Sequence, residues 1–168
     1  MKEFFQLVDK KGNPVGQATR EECHGNPLLI HMVVHLHVLD LSGKLLLQKR
    51  AGSKDTNPGL WDTSVGGHVR AGEGVRDALE REAREELGID AAGAAFLYDY
   101  LFSTAIETEL ARCFLLVHSA GLAPDPEEID EVRFFSLTEI DAMIGKGSLT
   151  PMFEHELTLL RQRLRPSP

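Results

Sequence analysis

The longest regular pattern in the chain is an alternation. From Leu28 to Leu39 the even positions Leu28, Ile30, Met32, Val34, Leu36 and Val38 are all apolar. That period of two predicts a strand with one face turned to a core. Its odd face carries His31, His35 and His37. For His35 and His37 the plain expectation is a half-exposed face where polar rings meet solvent. The sharper one is a ligand or a metal contacted from that face.

A second pattern has a period near 3.6. Val75, Ala78, Leu79, Ala83 and Leu87 form an apolar stripe, which predicts a helix over 75–87 with Gly88 as its left-handed C′ residue. Shorter apolar runs predict strands at 3–8, 15–19, 44–50, 60–65, 94–106, 110–119 and 132–135. The first two make a hairpin around the turn cluster at 10–14, with the role of covering a sheet edge. Gly66-Gly67 is expected to break the 60–65 strand and to let backbone approach a ligand or metal. Residues 120–130 read as an acidic loop. Ser136 and Glu139 fit a capping box for a short helix to Ile144. Thr150 and Pro151 start a last helix to Arg165, packed through Met152, Leu157, Leu160 and Leu164. Trp61 is read as core. Together these elements predict an α/β fold, a mixed sheet between helices in one domain. Residues 1–27 form its hairpin extension, 28–150 its core and 151–168 its C-terminal helix.

Composition narrows the functional classes. The 168 residues are 42% hydrophobic and 26% charged, as in ordinary globular proteins. Lys and Arg number 18 and Asp and Glu 26, a formal charge of −8. That balance argues against a nucleic-acid-coating surface. No apolar run approaches the roughly 20 residues of a membrane helix. The N-terminus has no cleavage-site pattern, and Cys23 and Cys113 fit reduced thiols, so the expected location is the cytoplasm. Oligomeric state is not readable.

One acidic run on the second helix changes the picture. Glu82, Glu85 and Glu86 stand at i, i+3 and i+4, so they project from one helix face. Three crowded carboxylates repel unless a cation sits among them, and Mg²⁺ takes such oxygens beside substrate phosphates. A solvated helix face is the plainer alternative.

The 23-residue stretch Gly67–Ile89, GHVRAGEGVRDALEREAREELGI, resembles the signature box of the Nudix hydrolases, G-x5-E-x7-R-E-U-x-E-E-x-G-U with U apolar. Gly67, Glu73, Arg81, Glu82, Glu85, Glu86, Gly88 and Ile89 fall on the fixed positions. Ala83 is smaller than the aliphatic residue often found at its place. The resemblance implies an α/β/α sandwich and a hydrolase that cleaves the phosphoanhydride bond of a small-molecule diphosphate, nucleoside diphosphates included. It implies Mg²⁺, with Mn²⁺ as the alternative, on Glu82, Glu85, Glu86 and the Gly66 carbonyl. Gly67, Glu73, Arg81 and Gly88 would be structural. The general base varies within the family, and Glu107, Glu109, Glu127, Glu128 and Glu131 are candidates.

A second resemblance is carried by VDKKGNPVGQA, LLLQKR and SKDTNPGLWDTSVGGH. These segments are similar to type I isopentenyl-diphosphate isomerases, a branch of the same superfamily. That likeness implies diphosphate contacts from Arg50 and Lys54. It also implies a second metal site on His24, His31, His68, Glu107 and Glu109, against which stands a set of merely scattered polar residues. Gly66 occupies the isomerases' catalytic cysteine position, and the acidic trio those isomerases modify is intact here. The expected function is therefore hydrolysis on an isomerase-like scaffold. An isomerase and a non-catalytic nucleotide-binding module are the alternatives.

Overall fold

In the computed structural model, which describes residues 2–164, one nine-stranded sheet is organised around a central strand. The elements are β1 (Phe4–Val8), β2 (Pro14–Thr19), α1 (Arg20–Cys23), β3 (Ile30–Leu39), β4 (Leu45–Arg50), β5 (Trp61–Asp62), β6 (Val65–His68), α2 (Val75–Leu87), β7 (Ala95–Ser103), β8 (Thr108–Val117), β9 (Ile129–Phe135), α3 (Leu137–Asp141) and α4 (Pro151–Leu164). The strand β3 pairs in parallel with β8 along its whole length, from Ile30↔Thr108 to Leu39↔Val117. Its other edge is shared by three antiparallel partners. These are β1 at Leu7↔His31, β6 from Val33↔His68 to Leu36↔Val65, and β4 at Leu39↔Leu45. A strand paired on both edges has its backbone groups satisfied and can be buried.

The two faces of β3 are covered by different helices. Met32, Val34, Leu36 and Val38 pack with Ala78, Leu79, Ala83 and Leu87 of α2. On the other face Val33, Leu45, Leu47, Ala111 and Cys113 pack under Phe153, Leu157 and Leu160 of α4. This is the expected α/β/α layering. No helix among the described residues is long and apolar enough to cross a membrane.

Two expectations are corrected. His31, His35 and His37 are 0%, 7% and 0% exposed, so the odd face of β3 is interior. The helix α4 lies over it and places Glu156, itself 0% exposed, against the two inner rings. Gly66 and Gly67 do not end a strand; they lie inside β6, paired with His35 and Val34. The hairpin covers a sheet edge as expected, in the order β2-β1-β3, and β1 in addition buries Phe5 against Ala18 and Cys23. The helix turn α1 was not expected, although Thr19 and Glu22 form its capping box. Element ends shift by a few residues elsewhere, with β9 starting at Ile129, α3 ending at Asp141 and α4 described to Leu164. Arg165 lies outside the described residues. Trp61 is half-buried and meets Phe135 edge-on at 4.9 Å.

Glu156 joins α4 to the sheet. Its carboxylate accepts from His35 Nδ1 at 2.8 Å, from Cys113 Sγ at 2.8 Å and from His37 Nε2 at 3.0 Å. Burial alone would push the His35 imidazole down, but the Glu156 charge and hydrogen bond outweigh it and raise it to about 9. Burial alone would push Glu156 up, but His35 and His37 hold it well below the usual carboxylate range.

The signs give a stability window. A raised histidine contributes fully below its unfolded value of 6.5, and that contribution fades as pH rises through about 9. A lowered carboxylate contributes fully above 4.5 and fades as pH falls. Urea unfolding of the wild type should thus show most help from this group between 4.5 and 6.5. Glu156→Gln should cost about 3–5 kcal/mol, the scale of breaking a buried pair, and flatten the decline above that window. Equal stability of the two proteins across pH would refute this role.

Candidate functional site

The acidic side of the site is assembled on Arg81. Its Nε and Nη2 donate to Glu73 Oε1 and Oε2 at 2.7 and 2.9 Å, a bidentate pair across the loop that precedes α2. Nη1 donates to Glu82 at 2.6 Å and to Glu85 at 3.1 Å, and Nη2 also reaches the His68 carbonyl at 3.0 Å. One side chain thus fixes the loop, the helix and β6 to each other. Burial works against the Glu73 charge, and Arg81 more than compensates, leaving its pKa lowered.

The helix and strand touch without a spacer. A Cβ on Gly67 would collide with the Glu82 side chain, so only glycine lets this carboxylate lie on β6. Gly88 closes the helix with φ +68°, and a Cβ there would meet Ala123 at 2.9 Å. Glu86 is 8% exposed and accepts from Gln48 Nε2 at 2.9 Å and the Gly66 amide at 3.3 Å. Burial pushes the Glu86 carboxyl up to about 8, with the Glu82 charge adding to it. Burial also raises Glu82, against the pull of Arg81. Desolvated carboxylates that repel each other are a donor set a hard divalent cation would relieve. Glu82, Glu85 and Glu86 line one cleft of about 780 Å³, and Gly66, bonded to Glu86, lines it beside them.

The same cleft runs on to a histidine cluster. Ligating atoms of His24, His31 and His68 lie within 4.8 Å of one another, as do those of His31, Glu107 and Glu109. His24 Nε2 is 3.4 Å from Glu107, and His31 and His68 are 3.6 and 3.8 Å from Glu109. His24 Nε2, both His31 ring nitrogens, His68 Nε2 and Glu107 Oε2 are buried without a hydrogen-bond partner. Burial, with His31 and Arg20 nearby, lowers His24 and holds His68 well below its ordinary value. Imidazole nitrogens that converge without hydrogen-bond partners suit a transition metal. Phe5 stacks on His68 at 3.9 Å and 5°, which fixes that ring. These five residues are therefore gathered, not scattered. Burial, then Glu109, raises Glu107.

His35, Cys113 and Glu156 also bring ligand atoms within 4.8 Å. Here the Glu156 oxygens are already engaged by three donors, so the group closes as a hydrogen-bond network.

Arg50 and Lys54 line the cleft but are engaged within the fold. Arg50 donates to Thr56 and pairs with Asp62 at 3.5 Å, and Lys54 pairs with Glu128. Glu107, Glu109 and Glu128 line the cleft, whereas Glu127 and Glu131 are exposed away from its lining. Sequence reasoning did not single out Arg20, Arg70, Gln48 or the place of His35, all of which line it. The capping box at Thr19 was the local signal for Arg20; Gln48 and Arg70 had none.

The NUDIX domain family model matches residues 30–153. An isopentenyl-diphosphate delta-isomerase of Brevibacterium linens is 34% identical over 148 residues, 84% of this chain and 81% of its own. A protein of Yersinia pestis described as an uncharacterised Nudix hydrolase is 35% identical over 140 residues, 83% of this chain and 76% of its own. A crystal structure from Deinococcus radiodurans superposes with a TM-score of 0.78 at 26% identity, covering 97% of this chain and 100% of that one.

The orphaned nitrogens give a direct prediction. Protein equilibrated with Mn²⁺ or Zn²⁺ and then desalted should retain metal that His31→Ala loses. Unchanged retention in that variant would dismiss the histidine cluster as a metal site.

Proposed function

The chain belongs to the Nudix family, and on that footing we propose that it is a divalent-metal-dependent hydrolase of a phosphoanhydride bond in a small-molecule diphosphate. The observation that carries this reading is the complete acidic trio on α2, two of its members raised by burial, lining one cleft together with Gly66, whose amide donates to Glu86. Glu82, Glu85, Glu86 and the Gly66 carbonyl would hold Mg²⁺ or Mn²⁺. When bound, that ion supplies Lewis-acid neutralisation of phosphoryl charge. The protein's own part is positioning. Arg81 keeps Glu82 and Glu85 aligned, and Gln48 turns Glu86 toward Gly66. Arg20 and Arg70 add positive charge along the cleft. A nucleoside-diphosphate-type substrate fits this chemistry, and Glu107, Glu109 and Glu128 are the acidic groups available to a water.

A second reading has its own support. The histidine cluster and the name of the Brevibacterium relative favour isopentenyl-diphosphate isomerisation. Moving a double bond requires an acid and a base on opposite faces of a carbocation-like centre. Gly66 offers neither, which is why hydrolysis is preferred. A non-catalytic binding module would need no such acidic trio.

The test is a screen of nucleoside di- and triphosphates, dinucleotides, sugar nucleotides and isoprenyl diphosphates with Mg²⁺ and Mn²⁺. Glu85→Gln and Glu86→Gln should each lower turnover of the best substrate by about a hundredfold or more with the fold intact. Unchanged turnover in both would remove the trio from the reaction. NMR of isopentenyl diphosphate incubated with the protein should show no allylic isomer, and its appearance would favour the second reading.

A further inference from the structure

The odd face of β3 holds a ring that lines the cleft but belongs to neither the acidic trio nor the histidine cluster. His35 lines the cleft although it is 7% exposed. Its Nδ1 is turned inward to Glu156 at 2.8 Å, so the opposite edge of the ring is the one offered to the cleft. That edge lies beside Gly66. A Cβ on Gly66 would begin 3.3 Å from His35 Cδ2 and 3.4 Å from Nε2. The missing side chain at 66 therefore opens a path from the cleft to the imidazole. Any other residue there would stand in front of the ring. Glu86 lines the same cleft and accepts from the Gly66 amide. A buried ring with one nitrogen fixed and the other facing an active cleft has the arrangement of an oriented substrate contact.

We propose that His35 is a substrate-contacting residue whose Nε2 hydrogen-bonds an oxygen of the bound diphosphate over Gly66, with Glu156 as the positioning residue that sets the ring. The inference rests on the hydrolase reading, since it takes the cleft to hold a diphosphate. It also gives Gly66 a second use, as the window through which the ring acts. Glu156 does not touch the substrate; it acts through His35 Nδ1, with Cys113 and His37 completing its hydrogen bonds.

Two side chains separate a contact from a structural role. In His35→Asn the amide can take the place of Nδ1 against Glu156, but nothing reaches the cleft. In His35→Gln the amide can take the place of Nε2. The probe is methylenediphosphonate with Mg²⁺, which cannot be hydrolysed, added to full-length protein labelled with nitrogen-15 at histidine. Binding should move the Nε2 resonance of His35 and leave Nδ1 nearly in place. His35→Asn should weaken binding by about tenfold to a hundredfold, the scale of one hydrogen bond to a charged group, and His35→Gln should recover much of it. Gly66→Ala, which leaves the ring but covers it, should weaken binding like His35→Asn. If the probe binds with Nε2 unmoved, or if His35→Asn binds like the wild type, the contact is wrong even where hydrolysis is observed. If the probe moves Nε2 and no phosphoanhydride is cleaved, the contact stands and the hydrolase reading falls. No binding to the wild type overturns both.

Discussion

The geometry of the site depends on the fork of Arg81. Its donors engage Glu73, Glu82, Glu85 and the His68 carbonyl at 2.6–3.1 Å. Without a cation at that point, three carboxylates on one helix and a fourth in the preceding loop would repel each other. With it, the loop, α2 and β6 are held in one register, and Glu82 and Glu85 line the cleft. Gly67 is the steric counterpart of this arrangement, because only a residue without Cβ lets Glu82 lie against the strand. Charge and space are thus solved by neighbouring residues of a single stretch. The His68 carbonyl then ties that stretch to the histidine cluster, one residue beyond Gly67.

What was legible in the sequence is what is local. The stripe Val75, Ala78, Leu79, Ala83, Leu87 and the stop at Gly88 prescribe α2 as it is found. The alternation along β3 identifies its buried even face. The spacing of the acidic box places its carboxylates on one helix edge without knowledge of any partner. The likeness to the isomerases named five residues far apart in sequence, and the fold gathers their side chains into one cluster.

What was not legible depends on contacts between distant segments. Alternation cannot say whether the second face of a strand meets water or another helix, and here the cover comes from α4, more than a hundred residues on. A signal was nevertheless present. Phe153, Glu156, Leu157 and Leu160 stand at i, i+3, i+4 and i+7, so a carboxylate occupies the apolar stripe of α4. A charge at such a position requires buried partners, and histidines on a strand are suitable ones. Arg50 and Lys54 illustrate the reverse case. Their types suit a diphosphate, but only the fold reveals that Thr56, Asp62 and Glu128 already engage them.

A scaffold that carries both an intact acidic trio and an isomerase-like histidine cluster leaves one chemical question at its centre: whether water adds to phosphorus. Turnover in oxygen-18 water answers it, with a cleaved phosphoanhydride and isopentenyl diphosphate run side by side and products read by phosphorus NMR and mass spectrometry. Hydrolysis in the cleft predicts one oxygen-18 atom in a single phosphoryl product and no allylic isomer from isopentenyl diphosphate. Phosphoryl products free of label, or an allylic diphosphate formed without label, would contradict it.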